Sequence, residues 1–345
     1  MEIKERNYLW DNIKVLLIFL VVAGHLLEGF RPLEYPAAVS FDYWIYSFHM
    51  PAFIFVSGFL SKSYCKNGQV RSEKVAVFIA YYTIFQVLLL LLKGALGNDL
   101  KGTSFFDPER GLWYLLAMIF YYLVIPIAEK IPSYVNVGAF MILAVMIGME
   151  PDADTMLSVH RIFVFAPFFF VGYYMSESAI EKIRSIKLPI RLILGAELIA
   201  CSILIWVLVG FDNFPISVFY GKDNYGELDT DFIYGSILRV ESLVIGFLMI
   251  FGLLFVMPAV KNFLSYAGAH SLRVYIFHLP IVVLLMDTKY LSEIKINGPV
   301  EFICLLLAAA AIVALLTIPI FEYPFKWIQL GVHKLYSIKE KKTEE

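Results

Sequence analysis

The sequence predicts an all-α fold: a polytopic transmembrane bundle of about ten helices with both termini in the cytoplasm. Three observations carry this prediction, namely the composition, the number of long apolar segments and the charge of the loops between them. Of the 345 residues, 60% are hydrophobic and 17% are charged, with a mean hydropathy of +0.73. Soluble domains carry about 25% charged residues, so the composition excludes an ordinary soluble enzyme. The balance of 28 basic and 30 acidic residues also argues against a nucleic-acid partner.

Long apolar segments are the second observation. A helix needs roughly 20 mostly apolar residues to cross a bilayer. We therefore expect a single transmembrane domain over 1–335 and a charged cytoplasmic tail over 336–345. The predicted spans are 8–30, 42–60, 75–92, 112–128, 135–149, 159–175, 190–209, 236–257, 270–286 and 300–321.

The charge of alternate loops is the third observation. With the N-terminus in the cytoplasm, the inner segments hold 18 basic and 11 acidic residues, and the outer loops hold 8 basic and 17 acidic residues. Such a bias is the positive-inside signature of a multi-pass protein of the cell membrane. The longest outer loop, 210–235, is acidic and aromatic. It is interpreted either as a lid or sugar-contacting surface, because aromatic rings stack on sugars, or as a solvated loop.

The first segment carries four polar residues that a bilayer disfavours. Asp11, Lys14, His25 and Glu28 are separated by 3, 11 and 3 residues, which places them on one face of a helix. His25 is expected about 22 Å above the inner interface. Because ionisable groups within a span are costly, they mark functional sites by default.

A second histidine is expected at a similar depth. His49 lies in the second segment, roughly 10 Å below its outer end, and Pro51 follows it. Two neutral imidazoles at one level could handle protons, and the proline can bend the helix towards a cavity. The alternative is a structural hydrogen bond from His49 to a neighbouring helix.

Further charged residues fall at the ends of later segments. Arg161 lies at the start of the sixth span, and Arg239 and Glu241 lie at the start of the eighth. They are interpreted either as ligands of a substrate or as members of ion pairs inside the bundle. His278 is expected about 12 Å from the inner face.

The inner loop 61–74 holds four cations: Lys62, Lys66, Arg71 and Lys74. They either fix the topology or bind a phosphate-rich ligand that arrives from the cytoplasm. The sequence has neither a glycine-rich phosphate loop nor a His/Cys spacing typical of a metal site, and we expect no metal.

Several stretches together resemble the acyltransferase-3 family of integral membrane acyltransferases. Within that family they are most similar to the fucose 4-O-acetylase-like branch. They are RNYLWDNIKVLLIFLVVAGH (6–25), FHMPAFIFVSGF (48–59), WYLLAMIFY (113–121), the Arg161 helix with PFFFVGYY, and HSLRVYIFHLPI (270–281). The resemblance implies transfer of an acyl group, usually acetyl, from cytoplasmic acyl-CoA. The acceptor is then a hydroxyl of a surface polysaccharide or of a lipid-linked sugar precursor.

The resemblance also implies roles for particular residues. The family has an essential basic residue eleven positions before a histidine on helix one, which here are Lys14 and His25. The family more often has arginine at the first position. Its arginine-rich stretch after helix two, a CoA-binding element, is reduced here to Arg71 and Lys74.

These observations combine into one hypothesis. The catalytic residues are His25, Lys14, His49 and Arg161; the residues that bind acetyl-CoA are Lys14, Arg71, Lys74 and His278; the residues that bind the acceptor are Arg239, Glu241 and Glu28. In this hypothesis His25 is the general base or accepts the acyl group transiently, and Arg161 or Arg239 stabilises the oxyanion. The alternative function is a membrane transporter of a sugar, amino acid or lipid-linked intermediate, because buried charges beside prolines also fit a substrate path.

Overall fold

The computed structural model describes residues 7–66, 68–151, 156–209, 214–286 and 295–344. Within these ranges the chain is a bundle of α-helices with one short β-hairpin, whose two strands have two residues each. The helices are α1 Leu9–Glu28, α2 Pro36–Leu60, α3 Ser72–Ala95, α4 Trp113–Ala128, α5 Ser133–Met146, α6 Val159–Tyr174, α7 Glu177–Ser185, α8 Leu188–Val209, α9 Ser217–Tyr220, α10 Phe232–Val256, α11 Ser265–Ala269, α12 Ser271–Met286, α13 Pro299–Leu316 and α14 Glu322–Glu344. The hairpin pairs β1 (Cys65–Lys66) with β2 (Gln69–Val70).

Every predicted span coincides with a helix. In the described part of the chain, seven helices are long and apolar enough to cross a membrane. The pair α6 and α7, bent by 80°, would supply an eighth span, and α5 and α12 are shorter apolar helices. The protein is therefore a multi-pass helix bundle, and the count of ten spans stays a prediction.

Two glycines let α2 and α6 pack backbone to backbone. A Cβ atom on Gly58 would overlap the carbonyl of Phe169, and one on Gly172 would overlap the carbonyl of Phe55. The two positions are reciprocal across one helix crossing. Small residues permit such close approach of helices in membranes, and the crossing fixes the height of α2, which carries His49.

Helix α1 contacts α2, α11, α12 and α13. Near its start, the Asn12 side chain donates from Nδ2 to the carbonyls of Pro258 and Val260, and Ser265 donates to its Oδ1 atom. Gly268 lies directly against the main chain of Asp11. These contacts attach α11, and through it α12, to the Leu9 end of α1.

The segment after the last predicted span is part of a helix. The tail predicted at 336–345 is helical as far as Glu344, because α14 runs without a break from Glu322. Tyr81 of α3 accepts a hydrogen bond from Gln329, and Glu73 pairs with His333. These contacts hold the first part of α14 against α3.

Candidate active site

A cavity of about 330 Å³ opens at the Glu28 end of the bundle. It is enclosed by the end of α1, by α2, α4, α6, α9 and α12, and by the turn at 110–112. Aromatic rings form much of its wall, among them Tyr46, Trp113, Tyr220 and Tyr275. Its ionisable lining residues are His25, Glu28, Arg31, His49, Arg110, Arg161 and Lys222.

His25 and Glu28 form a pair on the cavity wall. The Nδ1 atom of His25 lies 3.2 Å from Oε2 of Glu28, one turn further along α1. An ionised carboxylate at this position favours the tautomer in which Nδ1 carries the proton, which leaves a lone pair on Nε2. The Nε2 edge faces the main chain of Gly111, where an added Cβ would lie 3.5 Å away. Glu28, expected to contact the acceptor, is thus a hydrogen-bond partner of His25.

His49 lines the same cavity as His25, so the structure brings together the two imidazoles that the sequence placed at one depth. The His49 ring is buried, and its Nδ1 atom lies 2.7 Å from the carbonyl of Ile45. This bond assigns the proton to Nδ1 and leaves Nε2 as an acceptor. The bond is to the carbonyl of its own helix, α2, and not to a neighbouring helix. A proton-handling role for His49 stays a prediction.

His278 lies closer to His25 than its distance from the start of the ninth predicted span, 270–286, suggested. Its ring centroid is 5.3 Å from that of His25, although the sequence placed it in the inner half with the donor-binding cations. The physical reason is that α11 packs against the main chain of Asp11, and α12 begins beyond that contact, which sets the height of His278 relative to α1. His278 is fully buried, with Nδ1 3.2 Å from the carbonyl of Val274. Its ring packs beside those of His25 and Tyr275.

Cations surround the histidines. Arg31 bonds Asp42 at 2.6 Å, and its guanidinium lies over the rings of both Tyr46 and Tyr220. Burial alone would lower the pKa of Arg31, but the charge of Asp42 and the two phenol groups outweigh it and raise that pKa. Arg161 donates from Nε to the carbonyl of Tyr220 at 3.3 Å. The charges in this wall are therefore held in place before any ligand binds.

Three of these cations were not identified from the sequence. Arg31, Arg110 and Lys222 lie in loops or turns, where a charged residue is ordinary and does not by itself indicate a site. The signal for Lys222 was the aromatic and acidic loop 210–235, whose described part forms a wall of the cavity through Phe219, Tyr220 and Lys222.

Arg239 and Glu241 are not among the residues that line the cavity in the described part of the chain. Arg239 is 1% exposed and donates to the carbonyls of Val218 and Asp223 at 3.0 and 3.3 Å. It therefore holds the loop that forms the wall. The acceptor-binding role expected of Arg239 and Glu241 stays a prediction, and the structure shows Arg239 bonded to the loop that forms the wall.

The cations expected to bind the donor lie at the opposite end of the bundle. Lys14 pairs with Asp11 at 3.1 Å, and Lys74 donates to Oγ of Ser63 at 3.0 Å. Arg71 precedes the first residue of α3. Lys14 lies about 16 Å below His25 along α1. The residues of α1 between them include the buried Leu17, Ile18, Val21 and Val22.

Comparison with known proteins supplies the family context. The family model described as "Acyltransferase domain" (Acyl_transf_3) matches residues 7–318. The chain is also 22% identical, over 246 residues, to the "Inner membrane protein YcfT" of Escherichia coli (strain K12). That match covers 59% of this chain and 66% of the relative, just under two thirds of its length. No solved structure matches.

Proposed function

Because the chain belongs to the acyltransferase-3 family and is a membrane acyltransferase, we propose that it is an O-acetyltransferase of the cell membrane. It takes the acetyl group from cytoplasmic acetyl-CoA and delivers it to a hydroxyl of a surface polysaccharide or lipid-linked sugar. The observation that carries the proposal is the His25–Glu28 pair on the wall of a polar cavity lined with aromatic rings. The fucose 4-O-acetylase-like branch stays a prediction.

The chemistry follows from the tautomer of His25. Nε2 takes the proton of the acceptor hydroxyl while the hydroxyl oxygen attacks the thioester carbonyl. The resulting oxyanion is stabilised by Arg161, whose guanidinium lies over the Trp113 ring at 5.3 Å. When the C–S bond breaks, the CoA thiolate leaves and the imidazolium returns the proton to it. The ester stays on the sugar. His49 orients the acceptor hydroxyl from the opposite wall.

The donor is held through its phosphates at the Leu9 end. Lys14, Arg71 and Lys74 supply the cations, because phosphate oxygens form charge-assisted hydrogen bonds with such groups. The acyl end must reach His25 through the core between these two places, so the helices that line this path have to separate during the reaction cycle. His278, beside His25, is assigned to the acyl end of the donor.

Replacing Glu28 by glutamine is expected to lower kcat about 10- to 100-fold, because the amide no longer fixes the reactive tautomer of His25. The KM for acetyl-CoA should stay unchanged, since Glu28 does not contact the donor phosphates. Steady-state kinetics on purified membranes separate the two constants. A change in KM alone would contradict a positioning role, and Glu28→Asp should recover part of the rate.

Replacing Lys14 by alanine is expected to raise the KM for acetyl-CoA about tenfold, because one charge-assisted phosphate contact is lost. Lys14→Arg should keep the wild-type value. The matched control is Lys130→Ala, which removes an exposed lysine from the same end of the bundle. An equal effect of both alanine variants would point to general surface charge instead of a donor site.

The function is tested with labelled acetyl-CoA added to membranes that contain or lack the protein. We expect label in the glycan fraction only when the protein is present.

The transporter alternative is not favoured by the family match and predicts a different result. Proteoliposomes would then exchange a sugar or lipid-linked intermediate in counterflow without any acyl-CoA, and such exchange without transfer of label would overturn the proposal.

A further inference from the structure

The cavity lies at the Glu28 end of a ring of helices. In order around the ring these are α1, α2, α6, α4, α3 and α12, and each contacts the next. Helices on opposite sides, α1 with α4, α2 with α3 and α6 with α12, make almost no close backbone contact within the described ranges. The axis of the ring is therefore filled by side chains. A ligand threaded along it would displace side chains and widen the ring without breaking the interface between neighbouring helices.

Three aromatic side chains meet on that axis, next to the cavity. They come from alternate members of the ring: Phe53 of α2, Tyr114 of α4 and Tyr275 of α12. Each pair of ring centroids lies 4.9 to 6.0 Å apart. All three side chains are buried, and Tyr275 extends to the cavity wall, where it donates to the carbonyl of Gly111 at 2.5 Å. These three residues, the aromatic plug, close the axis between the cavity and the Leu9 end.

Hydroxyl groups continue from the aromatic plug towards the Leu9 end. Ser57, one turn beyond Phe53 on α2, shares a hydrogen bond of 2.8 Å with the Tyr114 hydroxyl, and Ser61 donates to the carbonyl of Ser57 at 2.5 Å. Ser57 is only part-buried, although Phe53 and Ser61 are buried. Space of the size of a water molecule therefore adjoins its side chain.

This line of hydroxyls ends at one of the proposed donor cations. Tyr64 closes the short turn that begins at Ser61. Its ring stacks on that of Tyr122 with the centroids 4.0 Å apart, and the ammonium of Lys74 lies 4.2 Å from the Tyr64 centroid. Polar groups thus lead from Lys74 to Tyr275 at the cavity, along one line through the core.

Hydroxyls on this line suit the middle part of the donor. The pantetheine arm of acetyl-CoA is a narrow, flexible chain with amide groups, and amides need hydrogen-bond partners once they leave water. A hydroxyl both donates and accepts, so Ser57 and Tyr114 can exchange their mutual bond for bonds to an amide. The alternative is that their bond only joins two helices, as polar groups do in membranes.

We propose that the axis of this ring is the binding path of the pantetheine arm, that Ser57 and Tyr114 bind its amide groups, and that the aromatic plug closes the path when no donor is bound. The inference rests on the proposed function, because acetyl-CoA is the proposed donor. The helices that separate are then α2 and α4, far enough for the Tyr114 side chain to turn aside.

Removal of one hydroxyl separates the two alternatives. Tyr114→Phe is expected to raise the KM for acetyl-CoA about tenfold, because one hydrogen bond to the arm is lost. The matched control is Tyr121→Phe, since Tyr121 is also buried on α4 but donates to the carbonyl of Ile162 on α6 at 2.7 Å. It should keep the wild-type KM. A fall in thermal midpoint for Tyr114→Phe with an unchanged KM would show that the bond only joins helices, and would overturn the proposal.

Cysteine labelling tests the path itself. Ser57→Cys is made in a chain that carries Cys65→Ser, Cys201→Ser and Cys304→Ser, and a small water-soluble methanethiosulfonate labels the introduced thiol. The probe is the ketone analogue of acetyl-CoA, in which a methylene group replaces the sulfur, so it neither transfers acetyl nor reacts with the label. At about ten times its dissociation constant it should slow labelling about tenfold, because only protein without bound analogue reacts.

The control for labelling is Ser202→Cys in the same chain. Ser202 also bonds a carbonyl of its own helix, that of Ile199 at 2.7 Å, but it lies on α8, outside the ring. Its labelling should not depend on the analogue. Calorimetric titration of the analogue into the same proteins completes the test. Binding without protection of Ser57→Cys, or with equal protection of Ser202→Cys, would overturn the path and leave the proposed function intact. Absence of binding to the wild-type protein would instead overturn acetyl-CoA as the donor, and this inference with it.

Discussion

Replacing His25 by alanine is expected to lower the rate of acyl transfer by about 10² to 10⁴, the usual contribution of a positioned general base. The imidazole is held by Glu28 at 3.2 Å, and its Nε2 atom lies beside Gly111 at the cavity wall. Alanine removes the proton acceptor without removing a large part of the core, since the His25 side chain is 18% exposed. Initial rates with labelled acetyl-CoA measure the loss.

The matched control for this variant is His270→Ala. His270 is the residue before α12 and bonds the carbonyl of Tyr266 through Nδ1 at 2.8 Å. It lies near the Leu9 end of the bundle, so its loss should leave the rate unchanged. Thermal unfolding of both purified variants checks that the fold is kept. A wild-type rate in folded His25→Ala protein would exclude His25 as the base.

The second large effect is on the fold. Replacing Gly172 by alanine is expected to destabilise the bundle by about 3 kcal/mol, because the new methyl group overlaps the main-chain carbonyl of Phe55 and a backbone cannot yield as a side chain does. Helices α2 and α6 would have to separate. The thermal midpoint of the purified protein in detergent should fall, and acyl transfer should fall with it.

Gly138→Ala is the matched control for this prediction. Gly138 also lies within a helix, α5, but an added Cβ would meet nothing within 4 Å. Alanine is the better helix former, so the thermal midpoint should stay the same or rise. A similar fall for both variants would show that loss of a helical glycine, and not the crossing of α2 with α6, is responsible.

Hydropathy and loop charge were sufficient to predict the fold class, because each span must satisfy its own backbone hydrogen bonds in a bilayer and therefore has to be helical. The same local rule identified His25 and His49, since both are ionisable residues within predicted spans. Periodicity along α1 also placed Glu28 on the same face as His25. These inferences depend only on neighbours along one helix.

The rest of the site depends on contacts between elements. The depth of His278 follows from where α11 attaches α12 to α1, and counting residues from a predicted boundary cannot include that offset. The sequence leaves Arg239 as either a substrate ligand or a member of an ion pair, but the fold of the preceding loop decides that it bonds the carbonyls of Val218 and Asp223. Arg110 is missed because it lies in a turn, outside the spans in which charge is unexpected.

We propose that this protein acylates envelope carbohydrate with His25 as the base. The most direct test of this proposal is mass spectrometry of envelope glycans from three strains: one without the gene, one with the wild-type gene and one with His25→Ala. We predict one additional acetyl mass per repeating unit in the wild-type strain alone. Identical glycans in all three strains, or full acetylation with His25→Ala, would contradict the account.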